Sequence, residues 1–294
     1  MAATTAPAGR SSGVSGLPGR RAGPALLFAG LTFYLLLPML AVFLYSVATV
    51  WRSQLLPDGY TLEHWISGLG DERLVFALLR SLGLATAVTV LDIVVVVPAI
   101  YWARVRNPRI RTFTELSAVI PFALPFVVIA FGIDRLAGDF VPWLQSTPWI
   151  LWLGHSAIAF PFLYWAVDGA MAAAGIERLS EAAETCGARP RQIIREVVIP
   201  NITPGLVAGG ILVWATSFGD FALAQILTGP NFETVPIWSA DALLQTTGKG
   251  NELAVITFVT FIILFALSAA IVYWNRGHTL RLLPGAGAME RTEG

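Results

Sequence analysis

The chain has 294 residues, 55% of them hydrophobic and 13% charged, against roughly 25% charged in an average soluble domain. Its 19 basic and 19 acidic residues cancel to a formal charge of zero, which removes any electrostatic case for binding nucleic acid. Most of such a chain must avoid water, and an all-α integral membrane protein follows.

Residues 1–23 are rich in Ala, Gly, Ser and Pro around Arg10, Arg20 and Arg21, and read as a disordered basic tail. The apolar run 24–50 exceeds a signal-peptide core and reads as an uncleaved first span. Further spans are predicted at 79–103, 113–133, 149–172, 204–228 and 253–274, each near or above the ~20 residues that cross a bilayer. Six transmembrane helices thus occupy 24–276, with a polar loop at 175–203, and 277–294 form a second tail. Pro38, Pro98, Pro121, Pro125 and Pro161 fall inside spans, where neighbouring helices or water must satisfy the backbone groups they release. Such kinks suit a core that moves, and they also occur in static bundles.

Orientation follows from the placement of basic residues. Arg10, Arg20, Arg21, Arg104, Arg106, Arg109, Arg111, Arg178, Arg189, Arg191, Arg195, Arg276, Arg281 and Arg291 fall on one side. Only Arg52, Arg73, Arg80, Arg135 and Lys249 fall on the other. The majority side is cytoplasmic by the positive-inside rule, which puts both termini and the 175–203 loop inside. Trp51, Trp149 and Trp152 near the outer ends, with Trp102 and Trp274 near the inner ends, support these limits.

Within the polar loop the residues describe two short helices and a bend. Ser180 can cap the first, with Glu181 and Glu184 near its positive end. Gly187 stops it by entering the left-handed conformation, and Pro190 suits the first turn of a second helix. Ile193, Ile194, Val197 and Val198 then share one face, while Arg191, Arg195 and Glu196 point elsewhere. Pro200 is expected to end this helix. A bent amphipathic pair between two spans offers a knob to a partner protein. Cys186, the single cysteine, excludes an intrachain disulfide and reads as a small filler.

Glu181-Ala182-Ala183, three residues, Gly187, nine residues, then Val197-Val198-Ile199-Pro200 resembles the EAA loop of permease subunits in binding-protein-dependent ABC importers. The family pattern has isoleucine and leucine where this chain has Val197 and Ile199, and the resemblance extends from about Arg80 to Trp274. It implies a type I importer permease with a MetI-like core of five spans flanked by the first, in a bacterial plasma (inner) membrane. It also implies a second permease subunit, a related chain being favoured over a copy of this one, and an extracytoplasmic solute-binding protein. A cytoplasmic ABC ATPase dimer would receive the loop, with Glu181, Ala182, Ala183, Gly187, Arg191, Val197, Ile199 and Pro200 as coupling residues. Ala182 and Ala183 would pack in its groove and Glu181 would meet a basic partner there. No phosphate-binding loop is present, since Gly248-Lys249-Gly250 lacks the hydroxyl residue. ATP and Mg therefore belong to the partner ATPase, and this chain is expected to bind no cofactor and to be no enzyme. His64, His155 and His278 are scattered without metal-ligand spacing, so no metal site and no catalytic residue is indicated.

Acids inside the membrane carry the remaining signal. Asp92 falls in the second span, Asp168 in the fourth, and Asp220 interrupts the fifth. A central aspartate costs about +2.5–3.5 kcal/mol, so each should face a bundle interior or water. Each either fixes one helix against another, sits as a protonated carboxyl, or belongs to a solute path with Ser217 and Phe221. Ser217-Phe218-Gly219-Asp220-Phe221, continued by Leu227-Thr228-Gly229-Pro230, resembles the permease subgroup handling polyamines, phosphonates or ferric iron. Acids without matching bases at the membrane centre favour an amine, held by carboxylate and aromatic rings. In the outer loop 229–252, Phe232, Glu233, Val235, Pro236 and Trp238 could dock a solute-binding protein or form a re-entrant plug or lid. The alternatives to an ABC permease are an ion-coupled secondary transporter using the aspartates, and a membrane scaffold that recruits a partner through its loop.

Overall fold

Long apolar runs fold as helices because the hydrocarbon offers no partner for a bare N–H or C=O, and an α-helix pairs them internally. A computed structural model describes residues 19–51, 54, 56–244 and 249–279. Residues 1–18 and 280–294, which make up most of the two expected tails, lie outside the described residues. The chain runs through α1 (Gly19–Ser46), α2 (Glu63–Gly70), α3 (Glu72–Tyr101), α4 (Pro108–Ala123), α5 (Phe126–Phe140), α6 (Pro148–Ala174) and α7 (Ile176–Thr185). It continues through α8 (Pro190–Gln192), α9 (Ile199–Gly219), α10 (Ala222–Leu227), α11 (Val235–Leu244) and α12 (Gly250–Thr279). Two π-helical turns, Trp102–Arg106 and Ile193–Val198, extend α3 and join α8 to α9.

Five described helical stretches are long and apolar enough to cross a membrane, and a sixth arises if α4 and α5 count together. The helices overlap every predicted span but shift the limits. The first tail and the first span meet at Gly19, where α1 starts, and α1 ends at Ser46. α12 runs past residue 274 to Thr279.

The expected single span at 113–133 is instead two helices meeting at 105°. Pro125 disfavours helical backbone at the residue before it, and Leu124 is extended at φ −120°, ψ 141°. Pro200 does not end its helix either. The turn Ile193–Val198 has already shifted the hydrogen-bond ladder by one residue, so the proline's missing donor falls where the pattern is changing, and Pro190–Gly219 is one continuous rod. The fifth span stops short at Gly219, and α10 is a separate short helix.

The core lies where α3, α6 and α9 meet, with Val88, Leu151, Ile158, Leu163, Val167 and Val213 buried between them. α6 and α9 touch backbone to backbone at Gly205 and Gly209, a small-residue spacing suited to close helix contact in lipid. A Cβ on Gly205 would stand 2.5 Å from the Ala166 carbonyl oxygen, and one on Gly209 would stand 2.9 Å from Leu163 Cα. A second apolar cluster at the opposite end joins Leu74, Phe218, Val235, Trp238 and Ile256. α1 packs along α12, with Phe43 and Phe258 rings 4.9 Å apart, and presents Leu26, Leu27, Phe28 and Phe33 outward. This is the flanking first span.

Candidate coupling site and solute path

The polar loop is a helical hairpin whose corners are set by two glycines. Gly175, at φ 61° and ψ 44°, ends α6 and starts α7 in a left-handed conformation that costs a side chain about 1–2 kcal/mol. α7 therefore begins four residues before Ser180, which is buried in mid-helix and caps nothing. Glu177, not Glu181 or Glu184, occupies the favourable first turn. At the other corner Gly187 stands at φ 82°, as its position in the sequence implies. The Gly187 N–H donates to the Glu184 carbonyl at 2.8 Å and the Ala188 N–H to the Ala183 carbonyl at 3.1 Å, a Schellman closure. Pro190 then opens α8, with the Arg189 N–H donating to the Gln192 side chain at 3.0 Å.

Ile193 and Val198 are buried and Ile194 and Val197 half-buried, so the expected apolar face seats the second arm on the bundle. Glu181, Ala182, Gly187, Arg191, Ile199 and Pro200 are exposed. Ala183 does not join them; it packs against the chain's own core, as does Val197. The outward face of α7 is Arg178, Leu179, Glu181, Ala182 and Thr185.

The inward face of α7 is held by charge. Arg104, 7% exposed, places Nε 3.1 Å from Asp168 Oδ1 and 3.4 Å from Glu177 Oε1, and its Nη1 donates to the Asp168 backbone carbonyl at 3.0 Å. Arg106 Nη2 lies 2.5 Å from Glu184 Oε1. Arg111 approaches Asp168 Oδ2 at 3.8 Å. The idea that the membrane acids lack matching bases thus fails for Asp168. Its carboxylate is engaged by two arginines that lie 64 and 57 positions away in the sequence.

The other two acids sit deeper. Asp92 is buried, Ser156 Oγ donates to its Oδ1, and its Oδ2 has no partner among the described residues. It lines a cavity of about 290 Å³ with the hydroxyl groups of Thr114, Ser117, Ser156 and Tyr164 and the Phe160 ring. Asp220 lies in the break between α9 and α10, where its Oδ2 accepts from the Leu223 N–H at 2.8 Å. His155 Nε2 stands 3.5 Å from the same oxygen. His155 is buried, its Nδ1 2.9 Å from the Leu151 carbonyl. Spacing alone leaves this histidine isolated in the sequence, and its place in an apolar span is the signal that marks it. Ser217 is buried and Phe221 exposed. Asp92 and Asp220 sit on α3 and at the end of α9, and both neighbour α6 through Ser156 and His155.

The segment 229–244 folds back on the bundle. Val235, Trp238 and Glu233 are buried, Glu233 paired with Arg73 at 2.6 Å, and Arg80 lies over the Phe232 ring. These residues pack onto α3 rather than forming a free docking face.

A polytopic helical bundle with polar groups in its interior and a rigidly seated, outward-facing helical hairpin between two spans is the architecture of a transporter permease. The chain belongs to the family of binding-protein-dependent transport system inner membrane components, whose pattern matches residues 95–277. It is a multi-pass permease subunit of the ABC importer type, and such permeases work with ATPase and substrate-binding partners.

A relative in Salmonella paratyphi A, provisionally named as the 2-aminoethylphosphonate transport system permease protein PhnV, is 24% identical over 233 residues, 79% of this chain and 85% of that one. The fold resembles a solved bacterial ABC transporter that imports the acidic polysaccharide alginate, with a TM-score of 0.67 at 16% identity, covering 88% of this chain and 98% of that one. It also resembles the MetNI methionine ABC transporter in inward-facing conformations, with a TM-score of 0.56 at 19% identity, covering 69% and 95%. The MetI-like fold read from the sequence is therefore the fold observed. Family membership displaces the secondary-transporter and scaffold alternatives.

Proposed function

We propose that this permease pairs with a second, related permease subunit to form a path for a small amine-bearing solute, an aminophosphonate or polyamine. The α7–α8 hairpin couples that path to a separate cytoplasmic ATPase dimer. The observation that carries this reading is the hairpin itself: its inner face is seated on the bundle while Glu181, Ala182 and Arg191 remain exposed for a partner. The majority of arginines on the hairpin side supports a cytoplasmic location. Closure of the ATPases would draw the hairpins together and turn the path outward, a rigid-body alternating access.

The solute preference rests on the buried carboxyl of Asp92, the mostly covered carboxyl of Asp220 and the phosphonate name of the relative above. An external solute-binding protein delivers the solute, and this chain binds no nucleotide.

The experiment is reconstitution with the cognate ATPase and binding protein, followed by ATP-driven uptake of 2-aminoethylphosphonate and of putrescine. Glu181→Lys is expected to abolish solute-stimulated ATP hydrolysis while insertion is unchanged. Asp220→Asn is expected to raise the solute concentration for half-maximal uptake about tenfold, the ~1.4 kcal/mol scale of one charge-assisted hydrogen bond. Normal coupling in the first variant removes Glu181 from the ATPase contact. Unchanged kinetics in the second make Asp220 a purely structural group.

A further inference from the structure

We propose that Arg104 and Arg106, on the π-helical end of α3, are positioning residues that fasten the coupling helix to α3 so that the two move as one body. This rests on the coupling role assigned to the hairpin above. The chain connections alone do not make α7 stiff. It is ten residues long, and both of its corners are glycines in left-handed backbone, Gly175 and Gly187. A force applied to the exposed face of α7 would be lost in rotation about those corners unless side chains resisted it.

The two arginines supply the resistance at separate points. Arg104 reaches Glu177 in the first turn of α7, 3.4 Å away, and Arg106 reaches Glu184 in the last turn, 2.5 Å away. Seven residues separate the two glutamates, about two helical turns, so both project from one face. One tie would leave α7 free to pivot, whereas two ties fix its angle.

Arg104 also holds α6 through the Asp168 carboxylate and backbone carbonyl, so the same side chain joins three helices in a nearly dry setting. Both arginines belong to a π-helical turn, a local departure from α geometry that recurs at functional sites. α7 packs against this turn and against the second one at Ile193–Val198. The coupling helix is therefore bedded between the only two π-helical turns among the described residues.

The test measures whether α7 and α3 stay together. In the reconstituted complex with its ATPase, spin labels are placed on native Cys186 and on Trp102→Cys, both of which are exposed. The distance between them is measured by pulsed electron paramagnetic resonance, nucleotide-free and trapped with ATP and vanadate. One narrow distance is expected in both states. Arg106→Glu or Glu184→Arg alone should broaden it or add a second distance, and uptake of 2-aminoethylphosphonate per ATP hydrolysed should fall at least ~5-fold, the lower end of typical coupling factors.

Reversing both charges together should restore the narrow distance, and Arg106→Lys should retain it. Should a reversal fail to insert, Glu184→Gln carries the same expectation. A distance that stays narrow in the single reversals, or that does not recover in the double, overturns the fastening. If the unmodified chain does not retain its ATPase, the coupling reading itself fails, and this one with it.

Discussion

Asp168 shows how far a residue's neighbours decide its meaning. From the sequence it is an acid in a span and a candidate for touching solute, but Arg104 and Arg111 come to it from the π-helical end of α3 and from α4, a proximity no local pattern announces. The same holds for Asp220, whose histidine partner lies 65 positions earlier. By contrast Gly187 and Pro190 were legible, because a positive φ and a helix start each demand a particular residue type. Gly175 carries the same demand at the entry to α7. Ser180, a stronger cap by type, nevertheless draws the expected helix start toward itself. Replacing Asp168 by Asn is expected to cost about 3 kcal/mol by leaving the Arg104 guanidinium short of a charge in a buried site. Thermal unfolding in detergent would register this, while the solute concentration for half-maximal uptake in the surviving complex stays unchanged. A shift in that concentration without loss of stability would return Asp168 to the solute path.

Whether an element exists was easier to read than its shape. Apolar length located each span, since crossing a bilayer needs a fixed number of residues. The two π-helical turns leave no trace, because a shift of one hydrogen bond alters no residue type, and the bend between α4 and α5 leaves Pro125, which marks a kink without giving its angle. The α6–α9 crossing makes a sharp prediction at this scale. Gly205→Ala drives a methyl group toward the Ala166 carbonyl and should destabilise the bundle by ~1–3 kcal/mol. Gly210→Ala, whose added carbon meets only Thr89 Cγ2 at 3.6 Å, should be neutral. Unfolding midpoints of the two purified variants compare them directly, and equal midpoints would mean that the helices can separate without penalty.

At the scale of the whole molecule, the arginine asymmetry predicts a cytoplasmic hairpin, and the chain carries its own reporter of that prediction. Cys186 is the single cysteine and lies exposed at the hairpin corner. Expressed without its ATPase, the unmodified permease should react with a membrane-impermeant maleimide in inside-out vesicles and stay unlabelled in intact spheroplasts. Labelling from outside would invert the orientation and end the coupling reading.

The two arms of the hairpin enter the bundle differently, and the difference has a mechanical outcome. One arm turns a glycine corner at Gly175. The other continues through its π-helical turn without a break, since Pro190–Gly219 is one helical run of 30 residues, about 45 Å long at 1.5 Å per residue. A shove at its foot passes along the helix toward its tip, and the residue at that tip is Asp220. The second arm is a pushrod ending beside buried His155 and its Asp220 partner.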